Sequence, residues 1–497
     1  MKKMKKLLSL VLTVAMVVAM GVTVFADTPT TYTISTKAGD GHTYNVYQIF
    51  TADTAKNENN ETVLSNIKWG QNAKNQTSGT KVDEATVTTV KNISGTDQEK
   101  ADAISAYVDL TSTPCGSVSD GNPLAVPTGY YLIKDATAVT GSDAATTYLV
   151  KVVDGNIEIA RKTDVPSSEK KVKDVNDSTG DTTGWQDSAD YDIGDQVPFQ
   201  LKGTVAANYD SYKTYKFVFH DKESAGLTFN KDSVKVYVDG NQITTGYTVK
   251  TPKTHPNDFD TTKHQDTFDV TFDNLKDIQS VHAGSVITVE YTATLNENAV
   301  IGSEGNPNTM HLEFSNNPNN GQGGETGTTP DDTVIVFTYK TVINKVDENG
   351  NALTGAEFIL EKKIKGEVTW KKITAVKNTE GTTFTFSGLD DGEYRLRETK
   401  TPSTYNTIDD ITFKITADHD VLSDNPALTK LNGDKVTGEI TFTKNKTEGS
   451  LTANVVNKKG SILPSTGGIG TTIFYVIGGI LMVGAGVILV SRRRRSK

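Results

Sequence analysis

A single cysteine, Cys115, rules out any disulfide within the chain. Beside Pro114 and Gly116 it reads as a loop residue rather than a nucleophile. Basic runs are missing from the interior and the net charge is -10, which argues against nucleic acid as a partner. The seven histidines show no metal-ligand spacing. Asp174-Val175-Asn176-Asp177-Ser178 begins like a calcium loop, but Thr179 and Trp185 replace its glycine and its terminal glutamate, so it reads as a turn. No Gly-x-Ser-x-Gly elbow, P-loop or dinucleotide fingerprint occurs. These absences leave no constellation for turnover of a small substrate, and neither metal nor cofactor is expected. Leucine is also scarce, while Thr, Val, Gly, Asn and Asp abound, a bias toward strands and turns.

The ends are informative. Lys2, Lys3, Lys5 and Lys6 precede an apolar run from Leu7 to Val24, and Val24-Phe25-Ala26 closes it, so residues 1–26 read as a secretory signal peptide. Ile469 to Val490 is almost wholly apolar and long enough to span a bilayer, with Arg492 to Arg495 holding the cytoplasmic side. Leu463-Pro464-Ser465-Thr466-Gly467 stands just before it. Pentapeptide, span and basic tail together (459–497) resemble the sorting signal of Gram-positive surface proteins. By that resemblance a sortase cleaves after Thr466 and passes its acyl group to an amine, and the precursor sits in the membrane only until then.

Roughly 430 residues remain between the ends, enough for about three domains. Residues 27–165 are mixed but strand-rich, with strand-like alternation in His42 to Phe50 and one clear helix opened by the capping box Thr96-Asp97-Gln98-Glu99. Residues 166–330 consist of short strands and end in a linker-like stretch, Asn316 to Pro330; residues 331–458 repeat the same grammar. The fold class is mainly β, and the second and third regions resemble tandem immunoglobulin-like β-sandwiches.

Following period-two alternation shows which residues share an apolar face. Ile335, Phe337, Tyr339, Thr341 and Ile343 are followed on their face by Lys345; Tyr394 and Leu396 by Glu398; Leu451, Ala453 and Val455 by Asn457. A lysine, an acid and an amide therefore point into one core, where burial disfavours both charged forms. A neutral amine is a nucleophile, and a protonated carboxyl can polarise the asparagine amide and carry a proton, so attack on that amide would expel ammonia and leave a Lys-Asn isopeptide bond. A buried ion pair with a hydrogen-bonded amide, or strand ends reaching water, fits the same alternation. In the second region Tyr215, Phe217 and Phe219 lead to Asp221, and Met310, Leu312 and Phe314 lead to Asn316; Lys170 shares a face with Val172 while Lys171 points away. The expected set there is Lys170, Asp221 and Asn316.

Asn344-Lys345-Val346-Asp347, Tyr394-Arg395-Leu396-Arg397-Glu398-Thr399 and Val455-Val456-Asn457 resemble the lysine strand, E-box and asparagine strand of isopeptide-forming pilin domains of the collagen-adhesin B type. With His42 to Phe50 and Gly129 to Ile133, the likeness to LPXTG-anchored backbone pilins covers nearly the whole mature chain. It implies a covalent homopolymer on the cell surface, with sortase, other copies of the chain, minor pilins and peptidoglycan as partners. It also implies an acceptor lysine at the end of the first domain. Lys162 fills that place, although Ala160-Arg161 replaces the usual Tyr-Pro pair, and Lys134 and Lys151 are fallbacks. The alternative is a monomeric wall-anchored adhesin that grips host protein or glycan.

Overall fold

The structure is a computed structural model that describes residues 30–161, 163–256, 265–319, 325–374, 376–461 and 469–495. The signal peptide, Lys162 and the Leu463–Gly467 pentapeptide lie outside the described residues.

In the N-terminal domain the long strand Thr43–Lys56 pairs with Thr62–Trp69 on one side and Gly129–Asp135 on the other, and Leu149–Val153 extends that sheet. A small second sheet sets Thr31–Thr36 between Leu124–Pro127 and Ile157–Ile159. The helix Asp97–Ser105 starts at the expected box: Thr96 Oγ1 accepts from the Glu99 amide at 3.2 Å while Glu99 Oε2 accepts from the Thr96 amide at 2.7 Å. A second helix, Glu84–Lys91, adds to the single one expected. Its Thr-Val-Thr-Thr-Val run favours a strand by propensity, but Asp83 caps it by accepting from the Thr86 amide, and Val87 and Val90 enter the core.

The middle domain packs two sheets face to face. One runs Ser188–Asp190, Asp332–Phe337, Asn306–Ser315, Phe217–Glu223, Phe268–Phe272, Thr248–Lys250. The other runs Asn241–Ile243, Leu227–Val238, Val286–Leu295, Gln196–Thr204, Ser167–Val172. Strict alternation of buried and half-buried residues along Val286–Leu295 is the period-two signature of a sheet with one face in the core. The C-terminal domain likewise stacks a sheet ordered Val376–Lys377, Thr383–Leu389, Tyr339–Val346, Ser450–Val456, Phe442–Asn445 on one ordered Lys371–Thr374, Glu357–Lys362, Gly392–Lys400, Ile411–His419, Leu428–Thr437.

Two boundaries differ from the expected ones. The strand that was to open the C-terminal domain at 331 is divided: Asp332–Phe337 pairs with Asn306–Met310 in the middle domain, and only Tyr339–Val346 belongs to the C-terminal sheet. Val334 and Val336 accordingly fill the middle core, whereas Phe337 and Tyr339 fill the C-terminal one. The Asn316–Pro330 stretch is not a simple linker either, since Thr326–Thr328 pairs with Glu313–Ser315, and Asn319 is hydrogen-bonded to Tyr148 N and Thr146 O of the first domain.

The middle and C-terminal domains meet at an acidic seam. The buried ammonium of Lys362 touches Asp390 and lies 3.0 Å from Asp192 Oδ2 and 3.4 Å from Asp177 Oδ2. Burial works against that charge, but the carboxylates of Asp390 and Asp192 outweigh it and hold the lysine above its ordinary range. Backbone bonds cross the seam from Ile193 N to Gly388 O (3.1 Å) and from Asp187 N to Val421 O (2.9 Å). Burial, reinforced by neighbouring aspartates, pushes Asp195 up to about 6 and Asp391 to about 7. His419 is held up to about 9, because the carboxylates of Asp174 and Asp190, 3.6 and 3.9 Å from its Nε2, overcome its burial.

All three groups bind protons more tightly folded than unfolded. The folded seam therefore holds protons that the unfolded chain has released, from about pH 4 to 7 for the acids and about 6.5 to 9 for the histidine, and its stability falls as pH rises through that window. Hydrogen-exchange protection of the Ile193 and Asp187 amides should be lower at pH 8 than at pH 5. Equal or greater protection at pH 8 would contradict this assignment.

Candidate functional site

In the C-terminal domain, Lys345 lies on the first strand, Tyr339–Val346, and is opposed by Val455 of the last strand, Ser450–Val456, with which it runs parallel. Asn457 follows that last strand, and its amide N–H donates to Val346 O at 3.1 Å. Lys345 and Asn457 are fully buried, and Glu398 reaches them from the facing sheet. Asn457 Nδ2 donates to Glu398 Oε1 (2.9 Å), Glu398 Oε2 (3.0 Å) and Asn406 O (2.9 Å), while its Oδ1 has no partner. Three acceptors around one nitrogen fix the orientation of the amide. Lys345 Nζ donates to Val346 O and Val455 O, both at 2.8 Å. Burial pushes the amine down to about 8 against the pull of Glu398 and Asp347, so an appreciable fraction is the free nucleophile near neutral pH. The arrangement sets an amine beside an amide whose nitrogen, the leaving atom of the expected reaction, already rests on a carboxyl.

In the middle domain Lys170 and Asp221 are both fully buried and in contact, with Lys170 on one sheet and Asp221 on the other. Tyr291 joins them: its hydroxyl lies 3.0 Å from Lys170 Nζ and donates to Asp221 Oδ2 at 3.0 Å. Burial lowers the Lys170 amine and raises the Asp221 carboxyl, each opposed by the other's charge. Lys171 points outward to Asp187.

Asn316 does not complete this set. Asp221 faces Met310 in the register of Phe217–Glu223 with Asn306–Ser315, so Asn316 lies six residues further along, roughly 20 Å at strand rise. It sits instead against the first domain, where its carbonyl accepts from Ala145 N at 2.8 Å. The asparagine at the lysine is Asn308, fully buried, whose Nδ2 donates to Tyr291 Oη at 2.8 Å and whose Oδ1 has no partner. Neighbouring Asn306 is buried too, but its amide is saturated by Val300 N, Val300 O and Val336 O, which marks it as structural. Alternation could have pointed to Asn308, since it shares the inward face with Met310, Leu312 and Phe314; it lies within the strand, near its start, whereas Asn316 follows its end.

At the end of the first domain Arg161 contacts Asp143 and donates to Ala144 O at 2.9 Å. The fallback lysines Lys134 and Lys151 are half-buried on the adjacent strands Gly129–Asp135 and Leu149–Val153. Among the described residues of this domain no lysine is fully buried. Cys115 is half-buried, donates to Val46 O at 2.9 Å and has its thiol pushed up to about 11 by burial, an inert environment. The Asp174–Ser178 segment runs into a turn closed by Gly180 N to Asn176 O at 2.7 Å. The C-terminal helix Ile469–Arg495 contains a 24-residue span, Thr472–Arg495, apolar enough to cross a membrane.

Three family models match the chain: a Gram-positive pilin backbone subunit 2, Cna-B-like domain over residues 193–318, a prealbumin-like fold domain over 340–426, and an LPXTG cell wall anchor motif over 455–497. A curated relative, the trypsin-resistant surface T6 protein of Streptococcus pyogenes serotype M6, is 27% identical over 468 residues, spanning 80% of this chain and 81% of that one. Among solved structures, the three-domain T6 backbone pilin of the same serotype superposes with a TM-score of 0.54 at 18% identity, over 88% of this chain and 100% of that one, a likeness of fold. Pilin-backbone domain, tandem β-domains, wall-anchor motif and apolar helix stand in the order of an LPXTG-anchored backbone pilin of Gram-positive bacteria, the family that the chain resembles.

Proposed function

We propose that the chain is the structural repeat of a sortase-assembled pilus, joined head to tail by isopeptide bonds from the Thr466 carbonyl of one copy to the Lys162 amine of the next. A sortase cysteine attacks the Thr466 carbonyl, the Gly467 amine leaves, and Lys162 then displaces the thiol. The basal copy is joined to peptidoglycan instead. Within each copy, Lys345 bonds to Asn457 with Glu398 as proton carrier, and Lys170 bonds to Asn308 with Asp221 at the amine. In each case the Nζ–Cγ bond forms, the Cγ–Nδ2 bond breaks, and the protons leave with Nδ2 as ammonia.

The observation that carries this reading is the pair of buried lysine-acid-asparagine sets, one in each sandwich domain. Their placement suits a fibre under tension. Lys345 is on the entry strand and Asn457 just beyond the exit strand, so pulling force would pass from one to the other through a covalent bond and spare the sheet hydrogen bonds between. Lys170, on the first strand of the middle domain, and Asn308, near its last, would do the same.

In cells with the cognate sortase the chain should appear as a ladder resistant to heat and detergent, and Lys162→Ala should collapse it to monomer. A ladder that persists in Lys162→Ala would transfer the acceptor role to another lysine; no ladder from the unaltered chain would refute polymerisation.

A further inference from the structure

We infer that Glu223 is the proton donor to the Asn308 amide in the middle domain, leaving Asp221 to take the proton of Lys170. The inference rests on the Lys170–Asn308 reading above and adds a second acid to it.

Glu223 directly opposes Asn308 in the antiparallel register, two positions from the Asp221–Met310 pair and on the same face. Residues so opposed have Cβ atoms about 4.5–5.5 Å apart, within reach of a carboxyl and an amide. Asp221 serves the amine end, where its Oδ2 contacts Lys170 and accepts from Tyr291, while its Oδ1 is buried without a partner. Neither buried oxygen of Glu223 makes a hydrogen bond of ordinary geometry, the Phe229 amide being the nearest donor, and Asn308 Oδ1 is buried without a partner. An acceptor amide facing an ionised carboxylate would leave all three atoms unsatisfied, whereas one proton on Glu223 supplies a donor to the amide.

The surroundings keep that proton in place. Burial first, then the charge of Asp221, push Glu223 up to about 8 against the Lys170 ammonium and the Phe229 amide. Of the other acids nearby, Asp332 accepts from the Lys170 backbone amide at 2.7 Å and Asp266 lies 3.3 Å from His220 Nδ1. The C-terminal set differs: there Glu398 rests on the leaving nitrogen itself, and Lys345 is bonded only to backbone carbonyls. One acid serves both ends of that reaction, whereas two divide it in the middle domain.

The step balances. The neutral Lys170 amine attacks Asn308 Cγ and gives a proton to ionised Asp221 while Glu223 protonates Oδ1; as the tetrahedral carbon collapses, the Oδ1 proton returns through Glu223 to Nδ2 and the Cγ–Nδ2 bond breaks. Ammonia departs, leaving an amide, a protonated Asp221 and an ionised Glu223.

The test uses the full chain carrying Asn457→Ala, so that only the middle-domain bond forms. It is refolded from denaturant before reaction, quenched at intervals and weighed intact. With Glu223 present, ammonia loss should slow above about pH 8 as the donor ionises. Glu223→Gln, which keeps the shape, should slow the loss about a hundredfold and abolish that decline. Glu223→Asp should retain a decline at a reduced rate, which separates loss of the acid from loss of folding. Ammonia loss in Glu223→Gln at the unaltered rate and pH profile would overturn the role of Glu223. Ammonia loss that persists in Asn308→Ala would instead overturn the choice of Asn308.

Discussion

Asn308→Ala makes the mature chain keep one ammonia, after allowance for the substitution itself, and lowers the unfolding free energy of the middle domain by roughly 5 kcal/mol, the cross-link entropy of a loop of more than a hundred residues. Asn316→Ala still loses both ammonias, so its mass differs from that of the unaltered chain by the substitution alone. The contrast follows from the geometry. Asn308 shares the Tyr291 hydroxyl with Lys170, so the bond has its reactants on either side of one oxygen. Asn316 is buried with neither side-chain atom hydrogen-bonded, so truncating it removes two unsatisfied polar atoms and costs little. Intact mass of the two variants, followed by denaturant unfolding, decides between them; an ammonia retained in Asn316→Ala would restore the partner expected from the strand pattern.

Lys362→Met produces the second large loss, about 3–5 kcal/mol, because it removes the ammonium from a fully buried carboxyl, Asp390, and from Asp192 beside it. The loss depends on pH. A carboxylate stripped of its cation takes up a proton rather than stay charged in a buried site, so the destabilisation should shrink as pH falls and grow toward pH 8. Adding Asp390→Asn should recover much of it, since the pair is coupled. Denaturant midpoints of the single and double variants at pH 5 and pH 8 check all three statements. A single variant as stable as the unaltered chain at pH 8 would mean that Lys371, 3.5 Å from Asp192, supplies the charge instead.

How far the sequence could be read depended on whether the signal was local. Alternation along one strand was enough to turn Lys345, Glu398 and Asn457 inward, since each continues the mainly apolar inward face of its strand. Lys170 was separable from Lys171 on the same basis. Choosing between Asn308 and Asn316 was a different matter. Both continue the Met310–Phe314 face, in opposite directions, and only the register against Asp221 selects one. That register is a property of two strands nearly ninety positions apart in sequence. The divided strand at Phe337 and Tyr339 escaped for a similar reason: apolar alternation runs straight through Thr338, and the change of partner sheet leaves no mark on it. The helix Glu84–Lys91 was hidden by its β-branched residues, and its Asp83 cap was the one available signal. Glu223 was hidden as well, since the residue two places past Asp221 looks like an ordinary charged strand end until it is seen facing Asn308.

The central claim is that two lysine-asparagine bonds, Lys345–Asn457 and Lys170–Asn308, form spontaneously inside each subunit. The intact mass of the mature, unpolymerised chain tests it most directly. The account predicts a mass two ammonias below that of the sequence, with one restored by Glu398→Ala and the other by Asn308→Ala; the full unmodified mass would contradict it.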